Sequence, residues 1–127
     1  MTILAEEPAI RFDDAAVLTK AVLRAADKLG MRANVLAPVL GVSAATVSRM
    51  KNEGYHLEAD TKPFELGVMF VRLFRSLDAI AGGDEAVARA WLANPNSALG
   101  GRPVEKIRNL AGLIDVIAYL DARRAIV

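Results

Sequence analysis

The sequence lacks several residue types that common functional sites require. It has no cysteine and a single histidine, His56, in 127 residues. The first absence excludes disulfides and thiolate metal sites, and one histidine leaves almost nothing from which to build a histidine metal site or a catalytic triad. No set of nucleophile, base and orienting residue is recognisable. We therefore predict no catalytic residue, no metal site and no cofactor, and we do not expect an enzyme.

Strong net charge and long hydrophobic runs are also missing. The formal net charge is +1, so any contact with nucleic acid requires a local basic patch. The longest nearly apolar run, Leu110 to Leu120, contains Asp115 and is too short to span a bilayer. The first ten residues lack the basic and apolar segments of a signal peptide. We expect a cytoplasmic protein with no membrane partner.

Aromatic residues are few, at 6%, whereas the hydrophobic share is 54% and consists mainly of Ala, Leu, Val and Ile. This mixture favours packed helices, and no segment has the alternating pattern of a strand. The predicted fold class is therefore all-α, a compact helical bundle. The length of the chain corresponds to one domain or to two small subdomains that share a core.

One segment has the pattern of a helix-turn-helix. Residues 33–52 read ANVLAPVLGVSAATVSRMKN. Gly41 would form the turn, because glycine adopts left-handed backbone angles without steric cost. Ser43 is expected to cap the second helix by accepting from the amide of its second or third residue. Val47 and Met50, three residues apart, are expected to point into the core.

The outward face of this second helix carries small or hydrogen-bonding side chains and one guanidinium, which suits a helix in a major groove. From Lys28 to Asn52 there are four basic residues and no acid. We therefore predict binding of double-stranded operator DNA, although similar helix pairs also occur in domains that never touch DNA. Arg49 would contact a guanine or a phosphate, and both remain open. The predicted DNA-binding residues are Arg32, Ser43, Ala44, Ala45, Thr46, Ser48, Arg49, Lys51 and Asn52, with Arg32, Thr46 and Lys51 assigned to the DNA backbone.

Three further helices are predicted downstream. One begins at Pro63, ends near Ile80 and is apolar over more than half of its circumference, so it lies at the bundle centre or also serves a subunit interface. Asp84 caps the next. The last begins at Pro103 and continues to Ala122 or Arg123, with a glycine in its middle that indicates close approach of another backbone. His56 is assigned to an exposed loop.

The segment from Arg89 to Leu120, RAWLANPNSALGGRPVEKIRNLAGLIDVIAYL, resembles the toxin-binding domain of the Xre/MbcA/ParS-type antitoxins. In these proteins a Trp-Leu pair ends a helix, an Asn-Pro-Asn turn and a Leu-Gly-Gly bend follow, and a Pro starts a helix that contains a Gly. The helix-turn-helix before it completes the family's layout. The matching residues are Trp91, Leu92, Asn94, Pro95, Asn96, Leu99, Gly100, Gly101, Pro103 and Gly112.

The resemblance implies an antitoxin that binds and inhibits a RES-domain toxin, an NAD-degrading enzyme, and that represses its own operon by binding the operator as a homodimer. Residues 1–57 would form the helix-turn-helix DNA-binding region, and residues 58–127 a helical dimerisation and toxin-binding region. The alternative is a solitary helix-turn-helix regulator whose second half only dimerises.

For toxin contact we predict the last helix and its end, because this apolar and basic terminus has no obvious internal partner. The alternative is that the two terminal arginines only complement the helix dipole. The predicted toxin-binding residues are Gly112, Arg123, Arg124, Ile126 and Val127.

Overall fold

The computed structural model describes residues 12–126, with the side chains of residues 14–125. In this part of the chain the predicted all-α fold is confirmed, since no strand occurs apart from one isolated bridge between Asn96 and Gly101. None of the described helices has the length and apolar character needed to cross a membrane. The helices are α1 (Phe12–Lys28), α2 (Ala33–Leu40), α3 (Ala44–Asn52), α4 (Lys62–Ile80), α5 (Glu85–Ala93), α6 (Pro103–Lys106) and α7 (Leu110–Ile126).

Local capping sets most of these boundaries. The Ser43 hydroxyl accepts from the amide of Thr46 at 3.0 Å. Thr46 is the third residue of α3 and one of the two donors predicted for this cap. Gly41, between α2 and α3, has a φ of +71°, as the predicted turn requires. The Asp84 carboxylate accepts from the amides of Ala86 and Val87 at 3.0 and 3.2 Å and so starts α5. The caps predicted at Ser43 and Asp84 are confirmed.

Helix α4 lies at the centre of the bundle, because it packs against α1, α2, α5 and α7. Its side chains Phe70, Leu73 and Leu77 are buried. These neighbours on several sides account for apolar residues around most of its circumference. Val68 is the large hydrophobic side chain of α4 that stays exposed, at 48%. A subunit interface on α4 stays a prediction.

The connector between α3 and α4 is tied to the core rather than loose. Leu57 is fully buried, and its amide donates to the hydroxyl of the buried Thr19 on α1 at 2.9 Å. This bond satisfies two groups that would otherwise be costly to remove from water. The neighbouring His56 is half-buried. The predicted loop position of His56 is confirmed, but the prediction that its side chain is exposed is wrong.

The prediction of one continuous last helix from Pro103 is also wrong. Helix α6 ends at Lys106, and α7 begins at Leu110. The Asn109 side chain accepts from the amide of Gly112 at 2.9 Å and thus caps a new helix. Gly112 consequently lies in the first turn of α7, not in mid-helix. A Cβ there would overlap the Lys106 carbonyl oxygen and lie 2.7 Å from its carbonyl carbon, so the close backbone comes from the chain's own preceding helix.

Gly112→Ala should therefore destabilise the protein. The added methyl group meets backbone that cannot move without separating α6 from α7, and we expect a loss of about 2 kcal/mol in the free energy of unfolding. Urea denaturation measures it. Gly101→Ala is the control, because Gly101 has no atom within 4 Å of an added Cβ and is not in the left-handed region. Equal stability of the two variants would contradict this account of the α6–α7 junction.

Candidate nucleic-acid interface and the C-terminal helix

Helix α3 presents the predicted face to solvent. Val47 and Met50 are buried, at 0% and 4% exposure, and anchor the helix on the core. The opposite face carries small and hydrogen-bonding side chains on a rigid, capped helix, which is the arrangement a major-groove reader requires. Contact with DNA itself stays a prediction. The residues of the predicted face, all of them exposed, are Ala44, Ala45, Ser48, Arg49 and Asn52, and Lys51 beside them is exposed as well.

Arg49 is held in place by two neighbours. Its guanidinium donates to the Thr46 hydroxyl at 3.3 Å and lies over the Tyr55 ring, 5.0 Å from the centroid. Tyr55 is half-buried and packs against the core. Sequence reasoning missed Tyr55; the signal was an aromatic residue next to the glycine that follows α3. Because both contacts restrict Arg49 before any ligand arrives, they reduce the side-chain ordering that binding requires.

The basic residues around α3 differ in how they are neutralised. Arg32 and Lys51 are exposed and form no ion pair with a described carboxylate. The Lys28 ammonium instead lies 3.9 Å from the Glu85 carboxylate on α5. Two of the three positive charges that flank the exposed face are therefore available to an anionic ligand.

The turn between α5 and α6 is built from the residues that carry the family resemblance. The Asn96 side-chain oxygen accepts from the backbone amide of Leu99 at 3.2 Å, and the backbone amide of Asn96 donates to the Gly101 carbonyl at 3.0 Å. Gly100 has a φ of +77°, which favours glycine. Leu92 and Pro103, on either side of the turn, are buried. These bonds and backbone angles show that the motif residues fix the shape of the turn.

Helix α5 is joined to both halves of the molecule. The Trp91 ring stacks on the Tyr119 ring of α7 with centroids 6.1 Å apart. On the other side, the Arg89 guanidinium donates to the carbonyls of Lys28 and Asp27 at 2.8 and 3.2 Å. These carbonyls belong to the end of α1, where helix carbonyls lack intrahelical partners. Arg89 therefore caps α1 from a distant part of the sequence.

The end of α7 has internal partners. The Arg123 guanidinium donates to the Tyr119 hydroxyl at 2.8 Å, and Arg124 donates to the Ser76 hydroxyl at 3.3 Å. The expectation of a terminus without an internal partner is wrong, although both arginines are exposed. Ile126 ends α7, and its side chain lies outside the described residues, as does all of Val127. Toxin contact by these residues stays a prediction.

A row of apolar side chains on α7 faces solvent. Leu110 and Ile114 are 46% and 49% exposed, and Ala111 and Ala118 are exposed as well. These residues follow a spacing of three to four, so they share one side of the helix. The opposite side, with Leu113, Val116, Ile117 and Leu120, is buried. We name the exposed row the α7 outer face.

Asp121 holds the end of α7 against α4. The buried hydroxyl of Ser76 donates to its carboxylate at 2.9 Å, and Arg72 forms an ion pair with it. Burial opposes ionisation of Asp121, but the Ser76 hydroxyl, Arg72 and the nearby Arg124 outweigh this effect and hold the pKa of Asp121 below its usual value.

These features define a class: a helix-turn-helix protein with an appended helical domain. A family model described as the antitoxin Xre-like helix-turn-helix domain matches residues 8–72. The model of the antitoxin Xre/MbcA/ParS C-terminal toxin-binding domain matches residues 76–125. The chain belongs to the Xre-type antitoxins, which confirms the resemblance and its two-part layout. A comparison with curated proteins finds no match.

Asp121→Asn should destabilise the protein in a pH-dependent way. The folded pKa is lowered, so the stabilisation is present above the ordinary pKa of 3.8 and is lost as the pH falls through the folded value. We expect a loss of about 1 kcal/mol in the free energy of unfolding near pH 7 that shrinks in acid. Asp115→Asn, an exposed change on the same helix, is the control. A difference from wild type that persists unchanged at about pH 3 would contradict the assignment.

Proposed function

We propose that this antitoxin inhibits a RES-domain, NAD-degrading toxin and represses its own operon by binding operator DNA as a homodimer. The single observation that carries the DNA-binding half is the outward face of α3, where all five residues predicted to face the DNA are exposed on a capped helix. The presence of a helix-turn-helix domain and a toxin-binding domain in one chain supports the proposal that it has both activities. Residues 1–57 would bind DNA, and residues 58–127 would bind the toxin and the second subunit.

On the DNA side, we assign different contacts to different residues in and around α3. Ser48, Arg49 and Asn52 stand on the exposed face and would meet base edges, with Ser43, Ala44 and Ala45 at the start of the helix allowing close approach. Arg32, Thr46 and Lys51 would contact the DNA backbone. One nine-residue helix offers few base contacts, so a homodimer that presents two such helices to a palindromic operator supplies the affinity.

On the toxin side, the α7 outer face and the two terminal arginines lie on one helix. Apolar surface of this kind indicates a protein partner. Arg123 and Arg124 are exposed; the bond from Arg123 to Tyr119 lies at the surface, whereas Arg124 reaches the buried Ser76 hydroxyl. The surface contact of Arg123 could therefore be exchanged for a contact to a partner at low cost. An enzyme site that handles the phosphates of NAD would attract such basic groups. Gly112, beneath Lys106, would set the angle at which α7 leaves α6.

Arg49→Ala should weaken operator binding. A bidentate base contact accounts for about 1–3 kcal/mol, so we expect the dissociation constant to rise roughly 5- to 150-fold. Fluorescence anisotropy with the duplex upstream of the protein's own gene measures it. Arg102→Ala, which removes an exposed charge beside Glu105 in the other half of the chain, is the control. Unchanged affinity of Arg49→Ala would show that the recognition face is wrongly assigned.

Deletion of residues 123–127 should impair inhibition of the toxin. We expect about a tenfold higher antitoxin concentration for half-inhibition of NAD hydrolysis by the neighbouring gene product, as for loss of an interface hot spot. The matched control is Arg75→Ala, an exposed arginine on α4. Full inhibition by the shortened chain would remove this terminus from the mechanism. Failure of the intact chain to bind the neighbouring product would favour a solitary regulator.

A further inference from the structure

A basic cavity lies between α1 and the C-terminal end of α3. It has a volume of about 620 Å³ and an opening to solvent. Lys20 and Arg24 of α1 and Lys51 of α3 line it with exposed side chains, while Leu23 and Met50 form its less exposed apolar part. This volume falls in the range typical of small-molecule binding sites.

No described carboxylate neutralises the charge in this cavity. The side chains of Lys20, Arg24 and Lys51 form no ion pair with the described part of the chain. Among the described residues, no acidic side chain lines the cavity. Asp27 lines an adjoining cavity of about 320 Å³ that shares Leu23 and Lys51 with the first. Three positive charges converging in a concave surface attract an anion more strongly than the same charges spread over a convex one.

The cavity also adjoins the recognition face. Lys51 follows Ser48 by three residues, so the two lie on one side of α3. Arg49, with its contacts to Thr46 and Tyr55, lies on the other side of the exposed face. A helix inserted in the major groove has a phosphate backbone along each side. The backbone on the Lys51 side would therefore run toward Lys20 and Arg24.

We propose that this cavity receives a phosphodiester of the DNA backbone flanking the bases that α3 reads, with Lys20 and Arg24 as binding residues in addition to Lys51. The assignment rests on the proposed operator binding. A phosphate contact of this kind is independent of sequence and sets the position of α3 in the groove. It gives a chain of low net charge the local electrostatic attraction that DNA binding requires.

The double variant Lys20→Ala/Arg24→Ala tests the proposal in full-length protein. Binding to the operator duplex and to an unrelated duplex is measured over a range of salt concentrations. Both affinities should fall by the same factor, roughly tenfold at low salt, and the slope of log affinity against log salt should decrease by about one to two. The ratio of the two affinities should stay unchanged, whereas Arg49→Ala should lower that ratio.

The control is Arg75→Ala/Arg102→Ala, which removes the same charge at exposed positions outside the helix-turn-helix. If wild type binds the operator and the two double variants have the same salt slope, the cavity assignment is wrong while the proposed function stands. If wild type binds neither duplex, the proposed function fails as well. Calorimetry with inorganic pyrophosphate adds a third arm: binding that requires Lys20 and Arg24, together with an unchanged salt slope on DNA, would overturn the DNA assignment in favour of a free phosphate ligand.

Discussion

Burial of α4 is the constraint on which the rest of the structure depends. This helix has apolar residues around most of its circumference, so its free energy is favourable only when helices cover it on several sides. Helices α1 and α2 cover one part, and α7 covers another. The helix-turn-helix region and the toxin-binding half therefore pack against the same central helix, α4. The family models reflect this, because one ends at residue 72 and the other begins at residue 76, both inside α4.

The shared helix has consequences at both functional surfaces. Arg89 reaches from α5 to the end of α1, and Thr19 of α1 fixes the connector at Leu57. The position of α3 is thus set by contacts that begin in both halves of the chain. If the helix-turn-helix region folded alone, the carbonyls at the end of α1 would have to bind water in place of Arg89. The division at residue 57 that we propose is therefore a division of function, on a core that is common to both parts.

Features determined by a few neighbouring residues could be predicted from the sequence. The cap at Ser43, the turn at Gly41 and the cap at Asp84 each depend on residues within one helical turn. The break between α6 and α7 could not be predicted, because it depends on a cap at Asn109 that competes with helix continuation and on a close backbone contact at Gly112. Apolar periodicity runs through both helices and gives no sign of the change in direction.

The candidate site divides in the same way. The outward face of α3 follows from helical periodicity once Val47 is placed in the core. Helical periodicity does not predict the contact of Arg49 with Tyr55, because Tyr55 lies beyond the helix. It does not predict the bond of Arg124 to Ser76 either, because Ser76 is 48 residues away in sequence. Pairing of the terminal arginines within the protomer also changes what the last helix can do. A helix end that is already ordered loses less conformational entropy on meeting a partner than a loose tail would.

The two sides of α3 differ in their surroundings, and this difference is a physical basis for separating specificity from affinity. On one side, Arg49 is ordered against Tyr55 and Thr46, which favours the fixed geometry needed to recognise a base edge. On the other side, Lys51 lines a cavity with two further cations and pairs with no carboxylate among the described residues, which favours attraction to phosphate without a fixed geometry. If α3 reads operator DNA as proposed, a nine-residue helix in a chain of net charge +1 needs both kinds of contact. The chain would then be attracted to any duplex through one side of α3 and would select its operator through the other.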